Sequence, residues 1–379
     1  MLMMRSNILS FALIALIIGS LIQFGIYRAG YIFPFATIFA LILLVFQNSF
    51  YKIDFKKFKF VSITYVLLVF YAAISSIVNQ SFDTFLVYSF FFLATALCVL
   101  TPSIKCFDFP KMLDVFLIVS LSLCFFSLLQ GFSFYRFEGV FDNPNGMGRF
   151  ASIVFGIYAL YFLSLNGRGL YKYFVGGAAA LFFVFLLSSN SRGSLLSALI
   201  PLGGIAVVYF LSSFNKGVRF FSKRAIKHIT VYVFLGVCVL FAFLKLGFFD
   251  EIINKMTMVY ELGNVTQGRS ERWQQALPYI SFFGQGSSIY TSTDLAEVHN
   301  NYIGQALLNG IAGSILLFIP FFYVCLKSLI IDFHKSTLAS RISFFCSSYF
   351  LLYSSIETGA AIFVVWLGFI SYSVMVNEQ

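Results

Sequence analysis

Charge is what this sequence has least of. Asp, Glu, Lys and Arg make up 11% of its 379 residues, while 60% are hydrophobic. An ordinary water-soluble domain carries roughly a quarter charged residues, so a soluble fold could not hide this much apolar surface. Histidine is nearly missing, at three residues, and tryptophan more so, at two. Cysteine is present six times but without a Cys-x-x-Cys pair or a metal-ligand spacing. Cys98, Cys124, Cys238, Cys325 and Cys346 lie in or at the ends of apolar segments and Cys106 in a short basic loop, so free thiols are expected, with no bound metal and no cofactor. Internal repeats and low-complexity linkers are absent as well, and residues 1–379 read as a single membrane domain. The apolar segment Asn7–Phe24 follows Arg5 as in a signal sequence, but no small-residue cleavage site comes after it, and it reads as a retained anchor.

What is there is a succession of apolar runs, each near the roughly 20 residues needed to cross a bilayer core of about 30 Å. They fall near Asn7–Phe24, Tyr31–Phe50, Phe60–Val78, Thr84–Leu100, Met112–Gln130, Arg149–Leu165, Tyr171–Leu187, Ser194–Leu211, Ile229–Leu246, Asn301–Cys325, Ile342–Ser355 and Ala360–Met375. The expectation is an all-α, polytopic transmembrane bundle of about 12 spans. Phe, at 52 copies, is the most over-represented residue and is read as lipid-facing bulk.

The net charge of +10 does not point to nucleic acid, because the basic residues sit in short loops between spans rather than in one patch. With a cytoplasmic N-terminus, 17 of the 25 fall on the cytoplasmic side: Arg5, Lys52, Lys56, Lys57, Lys59, Lys105, Lys111, Arg168, Lys172, Lys216, Arg219, Lys223, Arg224, Lys227, Lys327, Lys335 and Arg341. The positive-inside rule asks for this, and it puts both termini in the cytoplasm. The other eight, Arg28, Arg136, Arg149, Arg192, Lys245, Lys255, Arg269 and Arg272, fall outside, where topology gives them no reason to be. The longest loop, 247–300, is also outside and holds Asp250, Glu251, Glu261, Glu271, Asp294 and Glu297. Phe249, Ile252, Ile253, Met256, Val259 and Tyr260 recur there at helical spacing, as in a helix lying on the membrane surface. Arg269–Phe283 forms a second candidate helix, with Trp273, Leu277 and Ile280 on one side and Gly284 and Gly286 ending it.

Four outward segments carry groups with chemistry. In Gly139–Arg149, Asn143, Pro144, Asn145 and Gly146 predict a tight turn, after which Arg149 opens a span whose N-terminal N–H groups favour an anion. The same pattern also suits an ordinary interhelical turn with a snorkelling arginine. Ser188–Gly193 is a very short loop in which Ser and Asn suit a helix cap and Arg192 projects at the membrane surface. Gly268–Trp273 puts Arg269 and Arg272 three apart, on one helical face, where they could fork phosphate oxygens or pair with Glu271, Glu261 or headgroups. His299, in Glu297-Val-His-Asn-Asn-Tyr302, is the one histidine outside; it could take a proton from a hydroxyl or serve as a helix-entry cap. Together, arginines for a diphosphate and a base for a hydroxyl are what glycosyl transfer from a lipid pyrophosphate requires.

The stretches Gly139–Arg149, Asn190–Gly193, Gly268–Gly286, and His299-Asn-Asn-Tyr-Ile with Asn309-Gly-Ile-Ala-Gly313 resemble the O-antigen ligase and O-antigen polymerase superfamily of bacterial inner membranes. The resemblance spans roughly the second half of the chain and rests on the order of the motifs. It implies a metal-independent, inverting glycosyltransferase at the periplasmic face, acting on an undecaprenyl-pyrophosphate-linked oligosaccharide. Arg149, Arg192 and Arg269 would hold the leaving pyrophosphate, with Arg272 as a second contact, and His299 would be the general base. Ligase and polymerase differ in acceptor, lipid A core against another lipid-linked repeat unit. The arginine motif and His299 stand 30 residues apart, closer than the ligase branch tends to place them, which favours the polymerase. A polymerase implies a chain-length regulator protein as a partner, besides membrane lipids. A flippase for the same lipid-linked sugars is the alternative of another class, but it should show internal repeats and ionisable residues deep in the membrane, of which Asp114 is the nearest. A non-catalytic scaffold would leave the outward arginines unexplained.

Overall fold

A computed structural model describes residues 58–80, 82–100, 108–141, 143–165, 169–215, 257, 269–286, 289, 298–335, 337–357 and 362–378. Among these the secondary structure is helical, without strands. The elements are α1 Lys59–Val78, α2 Phe82–Leu100, α3 Phe109–Leu129, α4 Pro144–Ser164, α5 Leu170–Ser188, α6 Arg192–Asn215, the short α7 Arg269–Ala276, α8 Asn301–Lys335, α9 Leu338–Ile356 and α10 Ile362–Asn377. Nine of the twelve expected spans coincide with one of these helices. The spans 7–24, 31–50 and 229–246, and the surface helix expected over 249–260 apart from Thr257, lie outside the described residues. Among the described residues, six helices are long and apolar enough to cross a membrane by length and composition: α1, α3, α4, α5, α6 over Arg192–Tyr209, and α8. The chain is a multi-pass membrane protein.

Helix boundaries follow local chemistry. Asp108 caps α3 by accepting from the Lys111 N–H at 3.1 Å, and Pro110 fits the first turn, where no N–H partner is needed. Thr337 and Ser340 form a reciprocal capping box at the start of α9. The Asn143–Gly146 turn is itself the first turn of α4: the Asn143 side chain accepts from the Gly146 N–H at 2.8 Å and Pro144 stands at the first helical position. The helix therefore starts five residues before Arg149, not at it as the hydropathy suggests. Arg149 lies in its second turn.

α9 is the centre of the bundle, packed by α4, α6, α8 and α10. It buries Ser340, Ser343, Ser347, Ser348, Ser354, Tyr349 and Tyr353 along with Phe344, Phe345 and Leu351. This helix, the least apolar of the long described ones, is heavily screened by its neighbours, which is how hydroxyls are tolerated at membrane depth. The outer helices invert the pattern: Phe70 and Ile77 of α1 and Phe125, Phe126 and Leu129 of α3 are exposed, as a lipid-facing surface requires.

The two ends of the bundle carry different charge sets. At one end the Asp332 carboxylate of α8 pairs with Arg341 of α9 at 3.5 Å, and Tyr161 and Tyr171 donate to Asp114 of α3. Lys111, Lys172 and Lys335 belong to this end. At the other lie the first turns of α4, α6 and α8 and the last turns of α5 and α9, with Arg149, Arg192, Arg269, Arg272 and His299. Residues assigned by charge to opposite sides of the membrane are therefore separated along the bundle axis.

Candidate functional site

The site is organised around the last turn of α9, Tyr353 to Glu357. Glu357 follows the final helical residue in extended conformation and projects a carboxylate that is 15% exposed. Its Oε1 accepts from Arg269 Nη2 at 2.9 Å, and its Oε2 lies 3.0 Å from His299 Nδ1. Arg269 Nη1 also donates to the Ile356 carbonyl at 2.8 Å. The last carbonyls of a helix have no partner within it, and a cation there meets the negative end of the dipole. Arg269 thus closes the end of α9 while standing beside the histidine.

His299 is held on both sides. Before it, the Val298 carbonyl accepts from Trp273 Nε1 at 2.8 Å; after it, Asn300 Oδ1 caps α8 through the Ile303 N–H at 3.1 Å, and Asn300 Nδ2 donates to the Ser355 carbonyl at 3.2 Å. The backbone at His299 is left-handed, with φ 49°, which costs a non-glycine residue about 1–3 kcal/mol and persists because its neighbours are pinned. That conformation, with the side chain 35% exposed, puts Nδ1 on the Glu357 carboxylate.

Arg149 reaches the same turn from α4. Its guanidinium carbon lies 5.3 Å from the centre of the Tyr353 ring, which stacks on Tyr349 at 5.7 Å with 7° between the planes. Tyr349 in turn shares a 2.7 Å hydrogen bond with Ser152 of α4. Arg192 opens α6, and its neighbour Gly193 faces Ile356 so closely that an added Cβ would lie 3.0 Å from the isoleucine side chain. Gly148, next to Arg149, abuts the 189–191 turn, where a Cβ would fall 2.4 Å from that of Ser191. That close approach sets the backbones of Arg149 and Arg192 side by side. Arg272 is half-buried one turn beyond Arg269 on α7.

The segment carrying Arg269 is anchored differently from the expectation. A single helix over Arg269–Phe283 does not form: α7 stops at Ala276, a 3₁₀ turn covers Leu277–Tyr279, and the chain then extends. Pro278 has no N–H for the next helical bond. Trp273 and Ile280 do pack together, on a small core of Ala276, Ile289, Val298 and Leu307, but Leu277 points away and is 58% exposed. Gly284 and Gly286 take positive φ, but they do not end the helix, which has stopped before them. The extended stretch seats on α8, which is broken at Gly310 (φ 72°, ψ 176°). Gln285 and Gly286 N–H groups donate to the Leu307 and Leu308 carbonyls at 2.8 and 3.0 Å, and Ile311 N–H donates to Ser281 O at 3.1 Å. The Tyr71 hydroxyl lies 2.6 Å from Phe282 O and 2.7 Å from Asn309 O, and Ser75 donates to Phe283 O at 2.8 Å. Backbone groups freed by the break are thereby satisfied within the protein, as membrane depth demands.

The structure therefore brings Arg269 and His299 onto one carboxylate, sets Arg149 against Tyr353 of the same helical turn, and places Gly193, the residue after Arg192, against Ile356. Sequence reasoning missed Glu357 and Tyr353. Glu357 was findable: it is the one acidic residue between Asp332 and Glu378, and it stands in the short outward gap after the eleventh span. Tyr353 carried no signal, because an aromatic in an apolar run reads as core. Compared with protein-family models and with curated proteins, the chain matches none.

Proposed function

We propose that this protein is a glycosyltransferase that uses a polyprenyl-pyrophosphate-linked glycan as donor, and specifically a surface-polysaccharide polymerase whose acceptor is the sugar hydroxyl of another lipid-linked repeat unit. The observation that carries the reading is the gathering of Arg149, Arg269 and His299 around the last turn of α9, with the start of α6 at Arg192 and Gly193 beside it, at the end of the bundle opposite the lysines. Undecaprenyl pyrophosphate is the carrier, the inner membrane the location, and the periplasmic face the side on which the site opens.

In the transfer the acceptor hydroxyl oxygen attacks the anomeric carbon. The bond from that carbon to the pyrophosphate oxygen breaks, and its electron pair leaves with the pyrophosphate. The hydroxyl proton passes to His299 Nε2, the ring nitrogen not turned to Glu357. Arg149, Arg192 and Arg269 take up the charge that develops on the departing phosphate, with Arg272 as a further contact; fixed cations in a partly dry site are worth more than in water. Attack opposite the leaving group inverts the anomeric centre.

The break in α8 gives the flippase reading its one specific support, since discontinuous helices often frame transport sites. Here the freed backbone groups are taken by residues 281–286 and by Tyr71, which leaves them to serve packing.

The test is a gene deletion complemented with variants, followed by gel profiling of the lipopolysaccharide. Loss of a polymerase leaves core bearing a single repeat unit. Loss of a ligase leaves bare core with accumulating lipid-linked polymer, and loss of a flippase traps single units inside. His299→Ala and Arg149→Ala should each reproduce the single-unit pattern at wild-type protein levels. Normal chain lengths in cells carrying His299→Ala refute the catalytic assignment.

A further inference from the structure

Glu357 has no part in the transfer outlined above, yet it touches two members of its machinery. Arg269 and His299 use different oxygens of the one carboxylate, at 2.9 and 3.0 Å, so both are held at once. The carboxylate sits at the negative end of the α9 dipole, which disfavours it there, and it is largely withdrawn from water. Its place depends on those two partners.

A carboxylate on Nδ1 does two things for an imidazole. It keeps the ring proton on Nδ1, leaving the Nε2 lone pair for an acceptor, and it stabilises the imidazolium once a proton arrives. An arginine on the other oxygen opposes the second effect by drawing charge toward itself. An arginine fork fits a phosphate as well as it fits a carboxylate, so Arg269 cannot engage a pyrophosphate fully and keep its whole hold on Glu357.

We propose that Glu357 is a positioning residue that couples donor binding to base strength: an incoming pyrophosphate competes for Arg269 and leaves the carboxylate to His299 alone. The inference rests on the glycosyl-transfer reading. It makes the acceptor hydroxyl subject to activation when a donor is present and less so when the site is empty.

The coupling has a consequence that a purely structural role lacks. In Glu357→Gln the competitor for Arg269 loses its charge, so the full-length protein in nanodiscs should bind undecaprenyl pyrophosphate roughly fivefold tighter than wild type. Transfer, read as the polysaccharide ladder in complemented cells, should fall at least about tenfold, since proton transfer contributes about 10²-fold or more. In an Arg269→Gln background the same change should alter binding less than about twofold, because the contested arginine is gone. Glutamine keeps the side-chain shape and an acceptor, so the variant should insert normally; Glu357→Asp, which keeps the charge, should recover part of the ladder. Unchanged or weaker binding in Glu357→Gln overturns the proposal, as does equal tightening with Arg269 absent, which would mark a general field effect. A wild-type protein that fails to bind undecaprenyl pyrophosphate, or binds it equally well as Arg149→Gln and Arg269→Gln, overturns the donor reading beneath it.

Discussion

Replacing Gly310 by alanine should pull the arginine-bearing segment off α8. Gly310 sits at φ 72°, where an L side chain is strained by about 1–2 kcal/mol. An added Cβ would lie 2.0 Å from the Phe282 carbonyl oxygen and 2.5 Å from the Gly284 nitrogen, both backbone atoms that cannot rotate aside. The two chains must separate by about 1 Å or more to reach ordinary contact. That breaks or stretches the three bonds from Gln285, Gly286 and Ile311, each worth about 1 kcal/mol net, and more where water cannot replace them. With the strain, the cost comes to about 4–5 kcal/mol, or a fall of roughly 10 °C in apparent melting temperature. The assay is heating of the detergent-solubilised protein followed by size-exclusion chromatography, paired with limited trypsinolysis after Arg269 and Arg272. Gly177→Ala is the control: it lies inside α5 with no heavy atom within 4 Å of the added Cβ, and should be neutral or slightly stabilising. If Gly310→Ala melts within 2 °C of that control and its loop is cut no faster, the stitched contact between residues 281–286 and the broken helix is not what holds the segment.

Two further changes probe the supports of the site. Asn143→Ala removes the cap of α4 and should cost about 1 kcal/mol, seen as a small drop in melting temperature that Asn143→Ser restores. Trp273→Phe keeps the ring packing but deletes the donor to the Val298 carbonyl, at about 1 kcal/mol; His299 is then held less firmly, and the polysaccharide ladder should shorten severalfold while protein level stays the same.

The apolar runs were legible because each reports a single property, the length needed to cross lipid, and because positive charge marks one side. That reasoning located nine helices, eight of them to within about five residues at either end, while α8 continues ten residues past the expected end at Cys325, to Lys335. It misjudged the start of α4 because Pro144, Asn145 and Gly146 lower hydropathy while suiting a helix's first turn. It extended α7 through Pro278 because Trp273, Leu277 and Ile280 keep helical spacing whether or not the backbone hydrogen bonds can form. The break at Gly310 was not anticipated, since its cause is tertiary: a helix interior opens there because another segment supplies its bonds.

The missing half of the site has a common origin. The search for outward charge looked for cations to meet an anionic ligand, and an anion beside them counts against such a site unless it has other work. Glu357 lies where a helix end already needs donors for its Ile356 carbonyl, and Arg269 serves both. Groups expected to face a ligand satisfy one another: the arginine caps α9, the carboxylate holds the histidine, and Tyr353 lies under Arg149. Such contacts are exchangeable, because a phosphate oxygen can replace a carbonyl or a carboxylate on the same N–H without leaving a buried donor bare. An alanine at Arg269 therefore removes a cap as well as the proposed pyrophosphate contact, and loss of activity alone does not separate the two. Lysine at that position keeps the charge at the end of α9 but loses the planar fork. It should hold the fold near wild-type stability while weakening pyrophosphate binding, and equal losses of both would assign Arg269 to the helix end alone.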